Sequence, residues 1–203
     1  MDKETIGLLS GLMVVVSTIP YGYRVYQGKI LPNITSFVLW SVIGLSLLLT
    51  YRDSGAKANV WPAVFGFTNP TIIAILAIWK KGNKEPLGLT EKLCVVICIA
   101  SLIGWWYLRT DQFLVQFALY LAILSDGCAA IPTIFLVWRK PEIDRPFAWG
   151  MFAVAYGMTI FAISEHTIAN YALPLWMFFG SSSVALPLVG YRMRHNIPVR
   201  EWI

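Results

Sequence analysis

Charged side chains are scarce in this sequence, which has 16 Lys and Arg, 11 Asp and Glu and 2 His among 203 residues. A soluble domain of that length needs more polar side chains than this to cover its core. Catalytic signatures are missing too. There is no His-Glu-x-x-His or Gly-x-Ser-x-Gly run, and His166 and His195 both fall outside the apolar stretches, so no enzyme is expected. Cysteine is limited to Cys94, Cys98 and Cys128. Cys94 and Cys98 stand one helical turn apart but have no second ligand pair to complete a site. They read as buried small hydrophobes, with no metal, cofactor or disulfide framework expected.

What the chain has instead is long apolar runs. Hydrophobic residues make up 57% of it, and its mean hydropathy is +0.63. Seven runs approach the length of a spanning helix, roughly 17–25 residues: 5–27, 34–51, 60–79, 93–108, 113–138, 146–164 and 168–191. The fourth is the shortest. The expected fold is all-α and integral to a membrane, with seven transmembrane helices. The opening "MDKETIGLLSGLMVVVSTIP" has two acids beside one lysine and no Ala-x-Ala-like site, and reads as retained.

The basic residues set an orientation. Of the 16, 12 fall in the first, third and fifth connections, the helix ends feeding them and the C-terminal tail, leaving Lys3, Arg52, Lys57 and Arg109. The positive-inside rule then puts the N-terminus outside and the C-terminus in the cytoplasm, with the plasma (cell inner) membrane as the expected location. The net charge of +5 reflects this topology and contact with anionic head groups, so it does not point to nucleic acid.

A shift of 112 residues superposes several special positions. Pro20 falls on Pro132, Pro62 on Pro174, Asp53 on Glu165, and Trp79-Lys80 on Tyr191-Arg192. One register across the chain predicts two parallel three-helix repeats, 1–82 and 117–203 with its short basic tail, joined by a linker helix within 83–116. The linker is a geometric need: a three-helix unit ends on the face opposite its start, so a second unit in the same orientation requires one more crossing.

This 3+1+3 pattern, with an outside N-terminus and a proline in the inner half of the first helix of each unit, resembles the SWEET and PQ-loop (MtN3-like) superfamily. The resemblance covers nearly the whole chain. The literal Pro-Gln pair is absent, since Tyr21 follows Pro20 and Thr133 follows Pro132. The resemblance implies transport of a small polar solute, sugar-like or otherwise. It implies substrate contact by an asparagine in the third helix of each unit. Asn69 matches that position, while Ser181 stands where the second asparagine would. Trp40 loosely matches a substrate-stacking tryptophan, with Trp149 its approximate counterpart in the second unit.

The residues also carry their own readings. Pro20 and Pro132 lie inside helices, where proline removes a backbone hydrogen bond. Either a passive kink or a hinge of an inner gate fits, and their matched positions favour the hinge. Asn69 and the serines 181–183 can join helices or line a cavity.

Asp126, in "LAILSDGCAAIP", is the one acid near the centre of an apolar run. An ionised carboxylate there costs about 2.5–3.5 kcal/mol on insertion scales. It therefore faces the interior, pairs with something or takes a proton. No Lys, Arg or His shares its depth. A site lined by Asp126, Asn69, Ser181 and Trp40, coupled to protons through Asp126 and gated near Pro20 and Pro132, is the expected machinery. The partners are a small solute, the bilayer and protons, with a homo-oligomer admitted and no nucleic acid. The competing class is a receptor that binds a partner on the same scaffold without transport. A retinal photoreceptor is excluded, because 168–191 has no lysine for a Schiff base.

Overall fold

The computed structural model describes residues 1–84 and 86–203, and among these it contains helices, turns and loops but no strand. The seven α-helices are α1 (Lys3–Tyr26), α2 (Ile34–Asp53), α3 (Trp61–Trp79), α4 (Leu89–Leu108), α5 (Val115–Arg139), α6 (Pro146–Ala162) and α7 (Ile168–Arg194). One 3-10 turn, Ala58–Val60, leads into α3, and a second, Val199–Glu201, follows α7. Local chemistry sets several of the starts. The Asp2 carboxylate accepts from Thr5 N at 2.7 Å to cap α1, and Asn33 Oδ1 accepts from Thr35 N at 2.9 Å to cap α2. Pro146 opens α6, at the position where a missing N–H costs nothing.

Two expected spans change. The fourth is a full 20-residue helix, because Glu91 Oε2 accepts from Gly88 N at 2.6 Å and starts α4 at Leu89, ahead of the apolar run. The short helix is α6, with 17 residues. Six helices are long and apolar enough to cross a membrane, and α6 falls just under that length. Its helix ends at Ala162, and the chain turns extended at Ile163.

The packing is that of an integral multi-pass membrane protein. Large apolar side chains such as Ile72, Ile75, Val96, Ile103, Phe135 and Phe161 stand on the outside. Small hydroxyls lie within. Ser46 and Ser101 share a hydrogen bond at 2.9 Å, Ser101 donates to Ala118 O at 2.7 Å, and Ser125 donates to Cys94 O at 2.9 Å, joining α2, α4 and α5. Such bonds and close small-residue contacts hold helices together where lipid removes the hydrophobic drive. The three cysteines are free, with Cys94 and Cys98 in the core.

Six helices form a ring. In order, α1 packs on α3, α3 on α2, α2 on α5, α5 on α7, α7 on α6, and α6 back on α1. Outside it, α4 lies on α5 and α2. Long-range hydrogen bonds fix which ends lie together. Lys3 Nζ donates to Ile163 O, Tyr51 Oη to Asn170 O, and Trp105 Nε1 to Asp53 Oδ2. These gather the starts of α1 and α7 with the finishes of α2, α4 and α6. At the opposite end, Ile34 N donates to Asn83 O and Arg192 reaches the carbonyls of Pro141 and Asp144.

Candidate solute-binding site

The ring encloses a cavity of about 370 Å³, lined from all six of its helices. Small-molecule sites commonly occupy about 300–1,000 Å³. Asp126, Asn69, Ser181 and Trp40 all line it. Residues 112 or so apart in sequence thus meet around one space. Pro20 and Pro132 do not line it: Pro20 is half-buried and Pro132 is exposed on the outer face of α5. Their chain neighbours Tyr21 and Thr133 do reach the wall. Each proline therefore interrupts its helix beside the cavity without touching its contents.

Asp126, near the middle of α5, is 6% exposed. Its Oδ2 accepts from Trp176 Nε1 on α7 at 2.7 Å. Among the described residues nothing donates to Oδ1, and no Lys, Arg or His pairs with the carboxylate. Gly127 makes the indole's seat possible, since a Cβ there would lie 3.3 Å from the Trp176 ring, tighter than ordinary contact.

Asn69 is engaged differently. Its Nδ2 donates to Val14 O at 2.8 Å and to Thr18 Oγ1 at 2.7 Å, so both amide hydrogens are used to hold α3 against α1. Only its Oδ1 is left for a solute, as an acceptor. Ser181 is buried on α7, with no hydrogen bond from its hydroxyl among the described residues. Trp40 is half-buried on α2.

No family model, curated protein or solved structure matches this chain. The site is read from its own geometry.

Further wall residues emerge only in three dimensions. Tyr156 is buried in α6 and donates to Pro62 O at 3.1 Å. Trp149, considered above only as a loose counterpart of Trp40, donates through Nε1 to Asp144 Oδ2 at 2.9 Å, and both line the cavity. Trp176 and Tyr156 sit in apolar runs, where an aromatic reads as one more hydrophobe. The one local hint was Gly127 beside Asp126, a small residue next to a buried acid.

The two ends of the cavity differ. Toward the end that gathers the start of α7, Tyr51, Asn59 and Asn170 form a buried cluster. Asn59 Nδ2 donates to Tyr51 Oη at 2.6 Å and to Asn170 Oδ1 at 3.2 Å, while Tyr51 Oη donates to Asn170 O at 2.9 Å. That cluster ties α2, the turn before α3 and α7 together. Toward the other end, the lining runs out to Ser36 and Phe37 in the first turn of α2 and to Asp144 in the α5–α6 connection.

Proposed function

We propose that this protein is a membrane carrier for a small polar solute, working by alternating access as two three-helix units rock about the central cavity. The observation that carries the reading is the cavity itself. It lies within the helix ring and holds, near mid-helix, a carboxylate with no ion-pair partner among the described residues, while toward one end the Tyr51–Asn59–Asn170 cluster bonds α2, the turn before α3 and α7 together.

The neighbour order supports two parallel units joined by α4. Exchanging α1 with α5, α2 with α6 and α3 with α7 carries the α1–α3 contact onto α5–α7, α2–α3 onto α6–α7, and α1–α6 onto α5–α2. Asn59 and Asn170, which meet in that cluster, are 111 residues apart, one short of the repeat shift. In this reading the chain shares the architecture of the SWEET and PQ-loop superfamily, with the N-terminus outside and the basic end of the bundle in the cytoplasm. Pro20 and Pro132 are the hinges, and Asp126 is the group that would carry a coupled proton.

The test is a thermal-shift screen of the purified protein against sugars, amino acids, nucleosides and vitamins, at mildly acidic and neutral pH, alongside Asp126→Asn. Ligand-dependent stabilisation that rises with concentration, followed by flux of that ligand into liposomes, supports the carrier. Binding without flux moves the receptor reading ahead.

A further inference from the structure

The walls of the cavity carry a chemical bias. The charged side chains among its described lining residues are Asp126 and Asp144, and neither Lys, Arg nor His lines it. Seven aromatic side chains share the space, among them Tyr21, Trp40, Trp149, Tyr156 and Trp176. Several hydrogen-bond donors of the wall are already engaged, while among the described residues those of Tyr21, Ser36, Trp40, Thr133 and Ser181 make no side-chain bond. Asn69 Nδ2 is held by Val14 and Thr18, Trp176 Nε1 by Asp126, Trp149 Nε1 by Asp144, and Tyr156 Oη by Pro62. The acceptors are not spent: Asn69 Oδ1 and Asp126 Oδ1 both remain.

We infer that the solute is a small organic monocation of the substituted-ammonium class, its charge set against Asp126 Oδ1 and its carbon shell against the aromatic walls. This inference rests on the carrier reading and narrows the solute. A carboxylate enclosed with no counter-ion takes up either a proton or a cation. Aromatic faces attract cations through the ring quadrupole, most strongly where water is excluded. An anion meets two carboxylates and no basic side chain. A zwitterionic amino acid fares little better, because its carboxylate finds no cation to receive it. A sugar, being neutral, leaves the Asp126 carboxylate without a counter-charge. An ammonium carrying alkyl groups satisfies carboxylate and aromatic wall together.

The test is calorimetric titration of the purified full chain with choline, tetramethylammonium and benzyltrimethylammonium. The comparators are 3,3-dimethylbutan-1-ol (the neutral isostere of choline), glucose, and glycine. The expected result is saturable binding of at least one cation and none of the neutral isostere. Asp126→Asn weakens that binding roughly 30-fold or more, the loss typical of truncating a buried charge pair, while Asp126→Glu retains it. Should Asp126→Asn fail to fold, Trp40→Ala and the isostere comparison carry the test, Trp40→Ala weakening the cation.

Equal binding of cation and neutral isostere, or binding of glucose or glycine with no cation bound, overturns the assignment while leaving a carrier in place. Absence of binding by every cation overturns it as well. A short-chain phosphatidylcholine that displaces choline at lower concentration assigns the ammonium to a lipid headgroup and overturns the soluble-solute form. Cation binding with no counterflow in liposomes retains the solute class and removes the carrier.

Discussion

The indole N–H of Trp176 points at Asp126 Oδ2 across 2.7 Å and, among the described residues, leaves Oδ1 of the same carboxylate without a partner, so this bond between α5 and α7 uses half of one side chain. Such a carboxylate is held in direction without being neutralised. Replacing Trp176 with Phe keeps the ring near Gly127 and removes the donor. Losing a hydrogen bond to a buried polar group costs about 1–3 kcal/mol. The cavity beside Oδ1 gives a replacement water room to enter, which places the cost near the lower end, about 1 kcal/mol. Denaturant melts of Trp176→Phe and Asp126→Asn, with the double variant, measure it. The two single losses exceed their combined loss where the bond is the shared cause.

Asn69 is predicted to be a fastener as much as a wall. Its amide spans Val14 O and Thr18 Oγ1 beside Pro70, whose ring takes a donor out of α3. Asn69→Ala should lower stability by about 1–2 kcal/mol, and Thr18→Val by less, because only one of the two bonds involves Thr18. A double-mutant cycle between them isolates the shared bond, about 0.6 kcal/mol by the average for such bonds in membrane proteins. A cycle energy of zero, with solute binding lost in Asn69→Ala, would assign the amide to the solute alone.

The spans could be read from sequence because apolar runs of that length have few other fates. The cavity residues stood out for the same reason. Asp126, Asn69 and Ser181 are polar in apolar surroundings, and Trp40 lies deeper than an interfacial aromatic. The rest was hidden by its own chemistry. The start of α4 depends on Glu91 folding back to Gly88 N, a cap that lies outside the apolar run. Trp176 and Tyr156 sit in apolar runs as large aromatic side chains, and their polar ends matter only once a partner 50 or 94 residues away is in place. The Asn69–Thr18 bond likewise joins residues 51 apart. Composition marks which residues are unusual in lipid, whereas packing decides which ordinary ones they meet.

Gly44 in α2 sets how closely α2 and α3 approach. A Cβ there would lie 2.9 Å from Phe67 Cα and 3.1 Å from Gly66 O, both backbone atoms that cannot rotate aside. Gly44→Ala should therefore push the two helices apart and cost about 1–3 kcal/mol, the usual range for overpacking. Gly150, whose Cβ would meet nothing within 4 Å, is the control. Gly150→Ala should match or slightly exceed the parent's melting temperature, since it trades a flexible residue for a better helix former.

Glu165, in the α6–α7 connection, ties that loop to two others. Its Oε1 pairs with Lys57 Nζ at 2.7 Å, and its Oε2 accepts from Gln112 Nε2 at 3.1 Å. The hydrogen bond from Lys57, then that from Gln112, holds its carboxyl below the ordinary carboxylate value. A lowered folded-state value means the contribution is fully present above the ordinary range and fades as pH falls through the lowered one. Glu165→Gln should thus melt slightly below the parent near neutral pH, with the gap closing in acid and shrinking in high salt because the pair is exposed. A gap that persists unchanged into acid would trace to packing rather than charge.

Pro20 and Pro132 offer the sharpest separation of shape from motion. Both sit inside their helices, and each is followed by a residue that lines the cavity, Tyr21 or Thr133. Pro132 is exposed, so replacing it disturbs little packing. Pro132→Ala restores an N–H to the α5 backbone and removes the ring that crowds the preceding turn. If the proline is only a kink, the variant should be as stable as the parent or more so, with solute flux unchanged. If it is a hinge, stability should rise or hold while flux falls and equilibrium binding stays within a factor of a few, because the site's own residues are untouched. Pro132→Gly then restores part of the flux, since glycine returns the freedom that alanine withholds. The same pair at position 20 should behave alike where the two helices serve as matched hinges. A response confined to one proline would mean that one unit moves against a fixed partner.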